Sequence, residues 1–230
     1  MKYALVTGSS GGIGFAIAKA LIDKGYFVFL NGRRDYEPDF SKECCKYIKA
    51  DTSTISGVET LVNEVLKTTD ILDTLVLNAG STCRKKMTDM SYDDWQKVMD
   101  TNVNMPFMIV KELSAHINDG GNILFIASAM GIHPHATSLP YGVSKAATIS
   151  LAQNLVKELP KVRTNCVCPG FVDTDWQLEK PDWLREKISS KIALKRFAKP
   201  AEIADMCLSI IENTYMNGAV VTVDGGYDME

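Results

Sequence analysis

Residues 4–14 read ALVTGSSGGIG: the apolar run Ala4-Leu5-Val6 breaks into a turn holding four glycines and then enters a helix-like pattern. A backbone this bare serves a close approach or a tight turn. Gly8-Ser9-Ser10-Gly11-Gly12 also satisfies the G-x-S-x-G spacing of a hydrolase nucleophile elbow. An elbow needs earlier strands and an earlier loop for its oxyanion donors, and with seven residues ahead of Gly8 that reading is expected to fail. A phosphate-loop NTPase is excluded, because no Lys-Ser/Thr pair follows the glycines. Two readings remain: a plain loop whose glycines only permit a tight turn, and a dinucleotide turn, where the free N–H groups and positive dipole end of a first helix meet a pyrophosphate.

The rest of the chain supplies the frame for such a turn. Ala4 to Val6, Phe27 to Leu30, Leu75 to Leu77, Ile123 to Ile126 and Val220 to Val223 are apolar without alternation. Strands covered on both faces read this way. Tyr47-Ile48 and Thr164 to Cys168 are weaker strand candidates. Helical patterns lie between them: Ile13, Ile17, Ala20 and Leu21 up to Gly25; Val58 to Leu66; a run capped by Ser91 with Asp94 three residues on; and Tyr141 to Leu159, ahead of Pro160. Strand alternating with helix predicts a doubly wound α/β fold, with residues 1–230 as one domain. Only fourteen residues separate Gly32 from Tyr47, with Pro38 among them, so that crossover is expected to be short and irregular.

A formal charge of -3 gives no electrostatic reason to expect nucleic acid or an anionic membrane. Met1-Lys2 runs directly into a short strand, so neither leader nor membrane span is expected, and the location is read as cytoplasmic. The six cysteines have no paired C-x-x-C spacing. They read as reduced and buried, with Cys166 and Cys168 on one sheet face. No metal is expected, either at His133-Pro-His135 or at Asp173 and Asp175. Arg84-Lys85-Lys86 reads as a solvated charge run, or alternatively as a contact for an acidic partner or phosphorylated carrier.

Five further motifs complete a pattern. Ser128 ends the run NILFIAS, thirteen residues before Tyr141, and Tyr141-Gly-Val-Ser-Lys145 puts a phenol and an ammonium one helical turn apart. Asn78-Ala79-Gly80 ends a strand, Asn102 follows within a helix, and Pro169-Gly170 follows a later strand. Together with T-G-x-x-x-G-I-G, these motifs in this order resemble the short-chain dehydrogenase/reductase family, from Thr7 to the terminal Val223-Asp-Gly-Gly226.

The resemblance implies a seven-stranded parallel Rossmann-type sheet and a nicotinamide cofactor. It implies a catalytic set of Asn102, Ser128, Tyr141 and Lys145. It also implies cofactor contacts at Thr7, Gly8, Ser10, Gly12, Ile13, Gly14, Asp51, Thr52, Asn78, Ala79, Gly80, Tyr141, Lys145, Pro169, Gly170, Val172 and Thr174. Two features depart from the family pattern: Leu77 stands where many members carry asparagine, and the short segment after Gly32 lacks the usual helix. A homotetramer or homodimer through the helices bearing Asn102 and Tyr141 is also implied, using Met105, Phe107, Met108, Ala147, Leu151 and Leu155.

The chemistry suits reduction of a ketone, with Tyr141 as proton donor and Ser128 holding the carbonyl oxygen. A phenol near pKa 10 needs roughly three units, or about 4 kcal/mol, to reach neutrality. One ammonium at about 4 Å supplies about that much, so Lys145 is expected to lower Tyr141. By resemblance Lys145 also holds ribose hydroxyls, and Asn102 a proton-relaying water. Gly32 stands where NAD-specific members carry an acid, and Arg33 and Arg34 follow, which favours NADP because a 2′-phosphate wants a guanidinium. Asp35 keeps NAD as the alternative cofactor. The leading function is an NADPH-dependent carbonyl reductase, similar in its PGFVDTD loop and VDGG tail to 3-oxoacyl-(acyl-carrier-protein) reductases. Alternatives are an alcohol, steroid or sugar dehydrogenase and, in another class, a nucleotide sensor without turnover. Phe171, Trp176 and Trp183 hint at an apolar substrate arm.

Overall fold

The computed structural model describes residues 1–133, 138–178 and 180–227; His135 lies outside them. Seven parallel strands form one sheet: β1 (Lys2–Val6), β2 (Tyr26–Gly32), β3 (Cys45–Lys49), β4 (Leu72–Leu77), β5 (Ile117–Ile126), β6 (Arg163–Pro169) and β7 (Val220–Val223). Their order is β3-β2-β1-β4-β5-β6-β7. The chain direction across the sheet reverses between β1 and β4, and a ligand crevice opens at the carboxyl ends of strands at such a switch point.

The unbroken apolar runs are explained by the two faces. Leu5, Phe29, Leu75, Ile123 and Phe125 point to one core, under α2 (Ile55–Leu66), α4 (Met105–Leu113) and α5 (Leu139–Glu158). Ala4, Val6, Val28, Leu30, Val76 and Leu124 point to the other, under α1 (Gly12–Asp23) and α7 (Pro200–Glu212). Neighbouring residues alternate between faces, and both faces are dry.

The helices start and stop where local chemistry dictates. Gly25 adopts φ +81 just past α1, closing it as a left-handed residue at no Cβ cost. Ser91 and Asp94 form the reciprocal cap of α3 (Tyr92–Met99). From α3 the chain winds through a π-helical turn, Asp100–Asn104, into α4. Helix α5 begins at Leu139, two residues before the expected start, because Pro140 is tolerated in a first turn whose N–H groups need no partner. Residues 33–44 contain no helix, in agreement with the short, aperiodic connection. Helix α6 (Asp182–Lys191) buries none of its residues and so leaves no apolar stripe in the sequence.

Candidate active site

Thr7 leaves β1 and fastens the crevice floor. Its hydroxyl accepts from the backbone N–H groups of Asn78 (3.0 Å) and Ala79 (3.1 Å), tying the ends of β1 and β4. Gly8 takes φ +62, and a Cβ there would lie 2.9 Å from Ala79 Cα. At Gly14 a Cβ would fall inside contact distance of both Asn78 Nδ2 and the Gly8 carbonyl. Asn78 Nδ2 already donates to the Thr7 (3.0 Å) and Gly8 (2.9 Å) carbonyls. The turn therefore closes on Asn78, and Gly14 leaves room for it.

The first turn of α1 has no side-chain cap. Its free N–H groups open on a cleft of about 450 Å³ that runs along the strand ends. Gly8, Ser10, Gly12 and Ile13 form its middle, with Arg33, Arg34, Asp51 and Thr52 at one end. Asn78, Ala79 and Gly80 line its floor, and Ser128, Tyr141 and Lys145 its other end. Pro169, Gly170, Val172 and Thr174 face them. Of the residues expected at the site, three do not line the cleft: Thr7 and Gly14, which build the turn, and Asn102.

Asn102, 2% exposed, sits in the π-helical turn. Its Oδ1 accepts from Ser81 N (2.8 Å), and its Nδ2 donates to the Ser81 carbonyl (3.0 Å) and to Ser144 Oγ (2.8 Å). Thr148 Oγ1 donates to its main-chain carbonyl at 3.0 Å. The side chain thus ties Ser81, just beyond β4, to Ser144 on α5, while the proton-relaying water stays an expectation of the family resemblance.

The expectation for Tyr141 and Lys145 needs correcting. Lys145, 4% exposed, donates from Nζ to the Ile126 carbonyl at 2.7 Å, and Nζ lies 5.6 Å from the Tyr141 ring centroid. Burial pushes the ammonium down to about 8 and the phenol up to about 12, against a lowering by the Ser128 hydrogen bond to the phenol. Desolvation is the largest cause at both residues, so each group is driven towards its neutral form. Ser128 Oγ, at the end of β5, also accepts from Met130 N at 3.2 Å.

Several neighbours had no sequence signal. Buried Asn31 accepts from Gly8 N (3.4 Å) and donates to the carbonyls of Ile48 (3.2 Å) and Ala50 (3.1 Å), holding the glycine turn against β3. Ser9 Oγ bridges the Val6 carbonyl (2.8 Å) and Asn31 N (2.9 Å). Asp35 is exposed and ion-paired with Lys49 at 2.8 Å, outside the cleft lining. Among the described residues neither Arg33 nor Arg34 has an ion-pair partner. Lys85 donates to Asp94 at 2.7 Å and holds that carboxyl down to about 2, so the charge run is tied to α3.

Cys166 and Cys168 lie side by side on one sheet face, sulfur to sulfur 4.0 Å, and their mutual hydrogen bond, with burial behind it, drives the Cys166 thiol up. Cys44 and Cys83 are only half-buried, unlike the expected buried set, because both sit in connections outside the strands. Among the described residues no cluster of three or more His, Cys, Asp or Glu could hold a metal, and no helix is long and apolar enough to cross a membrane.

The lining fits a nicotinamide dinucleotide on three counts. Uncapped helical N–H groups face the middle of the cleft, where a pyrophosphate would lie. Two guanidinium groups, without an ion-pair partner among the described residues, stand at one end. Ser81 Oγ and Gln177 Oε1, of residues that line the cleft, are buried oxygens without a partner among the described residues. Such atoms are costly unless something satisfies them.

Comparison with known proteins agrees. A family model described as Enoyl-(Acyl carrier protein) reductase matches residues 8–228. Glucose 1-dehydrogenase 2 of Bacillus subtilis is 32% identical over 98% of this chain and 94% of its own. A 3-oxoacyl-(acyl-carrier-protein) reductase of Aquifex aeolicus is 31% identical over 98% of this chain and 96% of its own. The solved structure of a short chain dehydrogenase from Burkholderia cenocepacia in complex with NADP is 28% identical, with a TM-score of 0.88 over 97% of this chain and 96% of that one. With motifs, sheet order and relatives in agreement along the whole chain, this protein belongs to the short-chain dehydrogenase/reductase family of NAD(P)-dependent enzymes.

Proposed function

We propose that this protein is an NADPH-dependent carbonyl reductase, interconverting a ketone and a secondary alcohol. The observation that carries the reading is that one cleft joins the glycine turn, two arginines with no ion-pair partner among the described residues, and the Ser128–Tyr141–Lys145 cluster. Bound NADPH supplies the hydride. Ser128 holds the carbonyl oxygen, and Tyr141 delivers a proton to that oxygen as charge develops on it. A phenol pushed up to about 12 keeps its proton throughout the neutral range, as a donor for reduction must. Lys145 places a cation behind Tyr141 and supplies donors for the ribose hydroxyls. Asn102 acts as a positioning residue through Ser81 and Ser144.

Cofactor preference follows from the residues after β2. Gly32 offers no acid to a ribose hydroxyl, Asp35 is held by Lys49, and Arg33 and Arg34 line the cleft. A charge-assisted hydrogen bond to a phosphate contributes roughly 1.5–3 kcal/mol, or about ten- to a hundredfold in affinity. Arg33→Ala is expected to weaken NADPH by that factor and leave NADH nearly unchanged, as read by titrating both cofactors. A wild type that binds NADH more tightly overturns the preference.

Tyr141→Phe is expected to lose roughly two to four orders of magnitude of carbonyl-dependent NADPH oxidation while still binding NADPH. Turnover near the wild-type rate removes Tyr141 from the chemistry. For assembly we propose a dimer or tetramer through α4 and α5. Phe107 is exposed and Met108 and Leu151 are partly buried there, whereas Met105 and Leu155 belong to the core. Sedimentation as a monomer overturns that reading.

A further inference from the structure

We propose that the substrate is an apolar ketone with one methyl-sized arm and one long arm, the short arm seated behind Ser128 and the long arm lying along Trp176. This rests on the reductase reading and adds its substrate class. Trp176 belongs to a short helical turn, Asp175–Gln177, and its ring meets Tyr141 edge-on, 6.1 Å between centroids. It nevertheless remains 46% exposed. An indole half in solvent beside the proposed proton donor forms a wall that the reacting carbonyl's neighbour must touch.

Other exposed apolar side chains lie on the segments that lead to and from these residues. Leu178 follows Trp176 and is 72% exposed; Trp183 and Leu194 on the same segment are exposed too. Leu139 and Val143 flank Tyr141 at the start of α5 and are likewise exposed. Of these apolar side chains Trp176 lines the cleft itself, and the others lie on the chain segments on either side of Trp176 and Tyr141.

Among the charged groups of this segment, Arg185 and Asp173 are engaged with each other. Arg185 pairs with Asp173 at 2.8 Å and donates to the Gln177 carbonyl, while its guanidinium lies 4.8 Å from the Phe197 ring centroid. A second hollow shares Ser128 and Gly170 with the cleft and is lined besides by Ala129, Met130, His133, Phe171, Asp224 and Tyr227, away from Trp176. The Asp224 carboxylate accepts from Gly226 N at 2.9 Å. The hollow offers only about 20 Å³, room for a group the size of one water or methyl. A carbonyl placed between the two walls therefore has a short side and a long side, and among the described residues beside Trp176 the unpartnered acceptor is Gln177 Oε1, far fewer groups than a polyhydroxylated chain requires.

The test uses the full chain with NADPH and three sets of ketones: methyl ketones from butan-2-one to undecan-2-one, ethyl and butyl ketones of equal length, and polar hydroxyketones such as dihydroxyacetone and a ketohexose. kcat/KM should rise about fourfold per methylene over the first additions, the value of one buried methylene. It should fall as the short arm grows from methyl to butyl, and hydroxyketones should trail the series.

Trp176→Ala should cut the ratio of long- to short-chain kcat/KM at least tenfold, mainly through KM. Met130→Ala should relax the limit on the short arm. A non-reducible aliphatic amide should quench wild-type tryptophan fluorescence saturably and leave Trp176→Phe unresponsive. A flat chain-length series, or a ketohexose as best substrate, overturns the proposal. If no ketone in any set is reduced, the reductase reading falls, and the absence of a saturable amide quench then overturns the apolar-arm assignment as well.

Discussion

At Lys145 the ammonium is 4% exposed, donates to one carbonyl, and is pushed by burial from an ordinary 10.5 down to about 8. Near pH 7 it is still charged, in surroundings that favour the neutral amine. Between about 8 and 10.5 the unfolded chain binds a proton at this residue that the folded chain has released. Stability must therefore rise with pH across that window. A shift of this size corresponds to on the order of 3 kcal/mol for a fully buried group. Wild-type protein should thus gain stability relative to Lys145→Met as pH rises from 8 to 10, a comparison in which both proteins carry the Tyr141 phenol. Denaturant melts of both proteins at each pH check it; parallel curves would mean Lys145 is not destabilised by burial. The sequence expectation pointed the other way because spacing places Lys145 next to Tyr141, whereas its depth depends on β5 and β6 closing over it.

Among the elements, the turn at Ala129–Gly131 decides how Ser128 meets α5. A Cβ at Gly131 would stand 2.6 Å from the Lys145 carbonyl carbon and 2.8 Å from Ala146 N, both rigid helix backbone. Gly131→Ala must push the turn away from the helix and carry Ser128 off Tyr141. The expected result is a fall in kcat of at least tenfold with NADPH affinity retained, since Gly131 does not line the cofactor cleft. Unchanged kcat would show that the turn yields without moving Ser128. The strand runs, the glycine turn, the Ser91 cap and the irregular segment after Gly32 were all legible, because each is written in neighbouring residues. Asn31 and Gly131 were not: their partners come from β3 and α5, and a lone polar residue or glycine in the chain does not announce them. The same holds for Gly32. A Cβ there would crowd the Tyr47 hydroxyl at 2.5 Å, which now donates to the Arg34 carbonyl at 2.7 Å. Gly32→Asp would therefore disturb β3 as well as repel a phosphate.

Across the whole molecule the cleft is a seam between the two halves of the sheet, floored by Asn78–Gly80 from β4 and bounded by the turns after β1, β2, β5 and β6. A ligand filling it binds only when both halves are folded, so its affinity adds to global stability. At a hundred times Kd that addition is about 2.7 kcal/mol, which for a chain of this size raises Tm by about 5–10 °C. If the arginines after β2 read a 2′-phosphate, NADH at the same concentration sits at or below ten times its own Kd and adds about 1.4 kcal/mol or less. NADPH should therefore raise Tm at least about 3 °C more than NADH. Arg33→Ala should shrink the NADPH shift to the NADH level, whereas Gly14→Ala, which breaks the turn common to both cofactors, should erase both shifts. Thermal melts of the three proteins with each cofactor make the comparison. Equal shifts from NADPH and NADH in wild type would mean that the seam recognises the dinucleotide without reading its phosphate, and the preference assigned to Arg33 would fall.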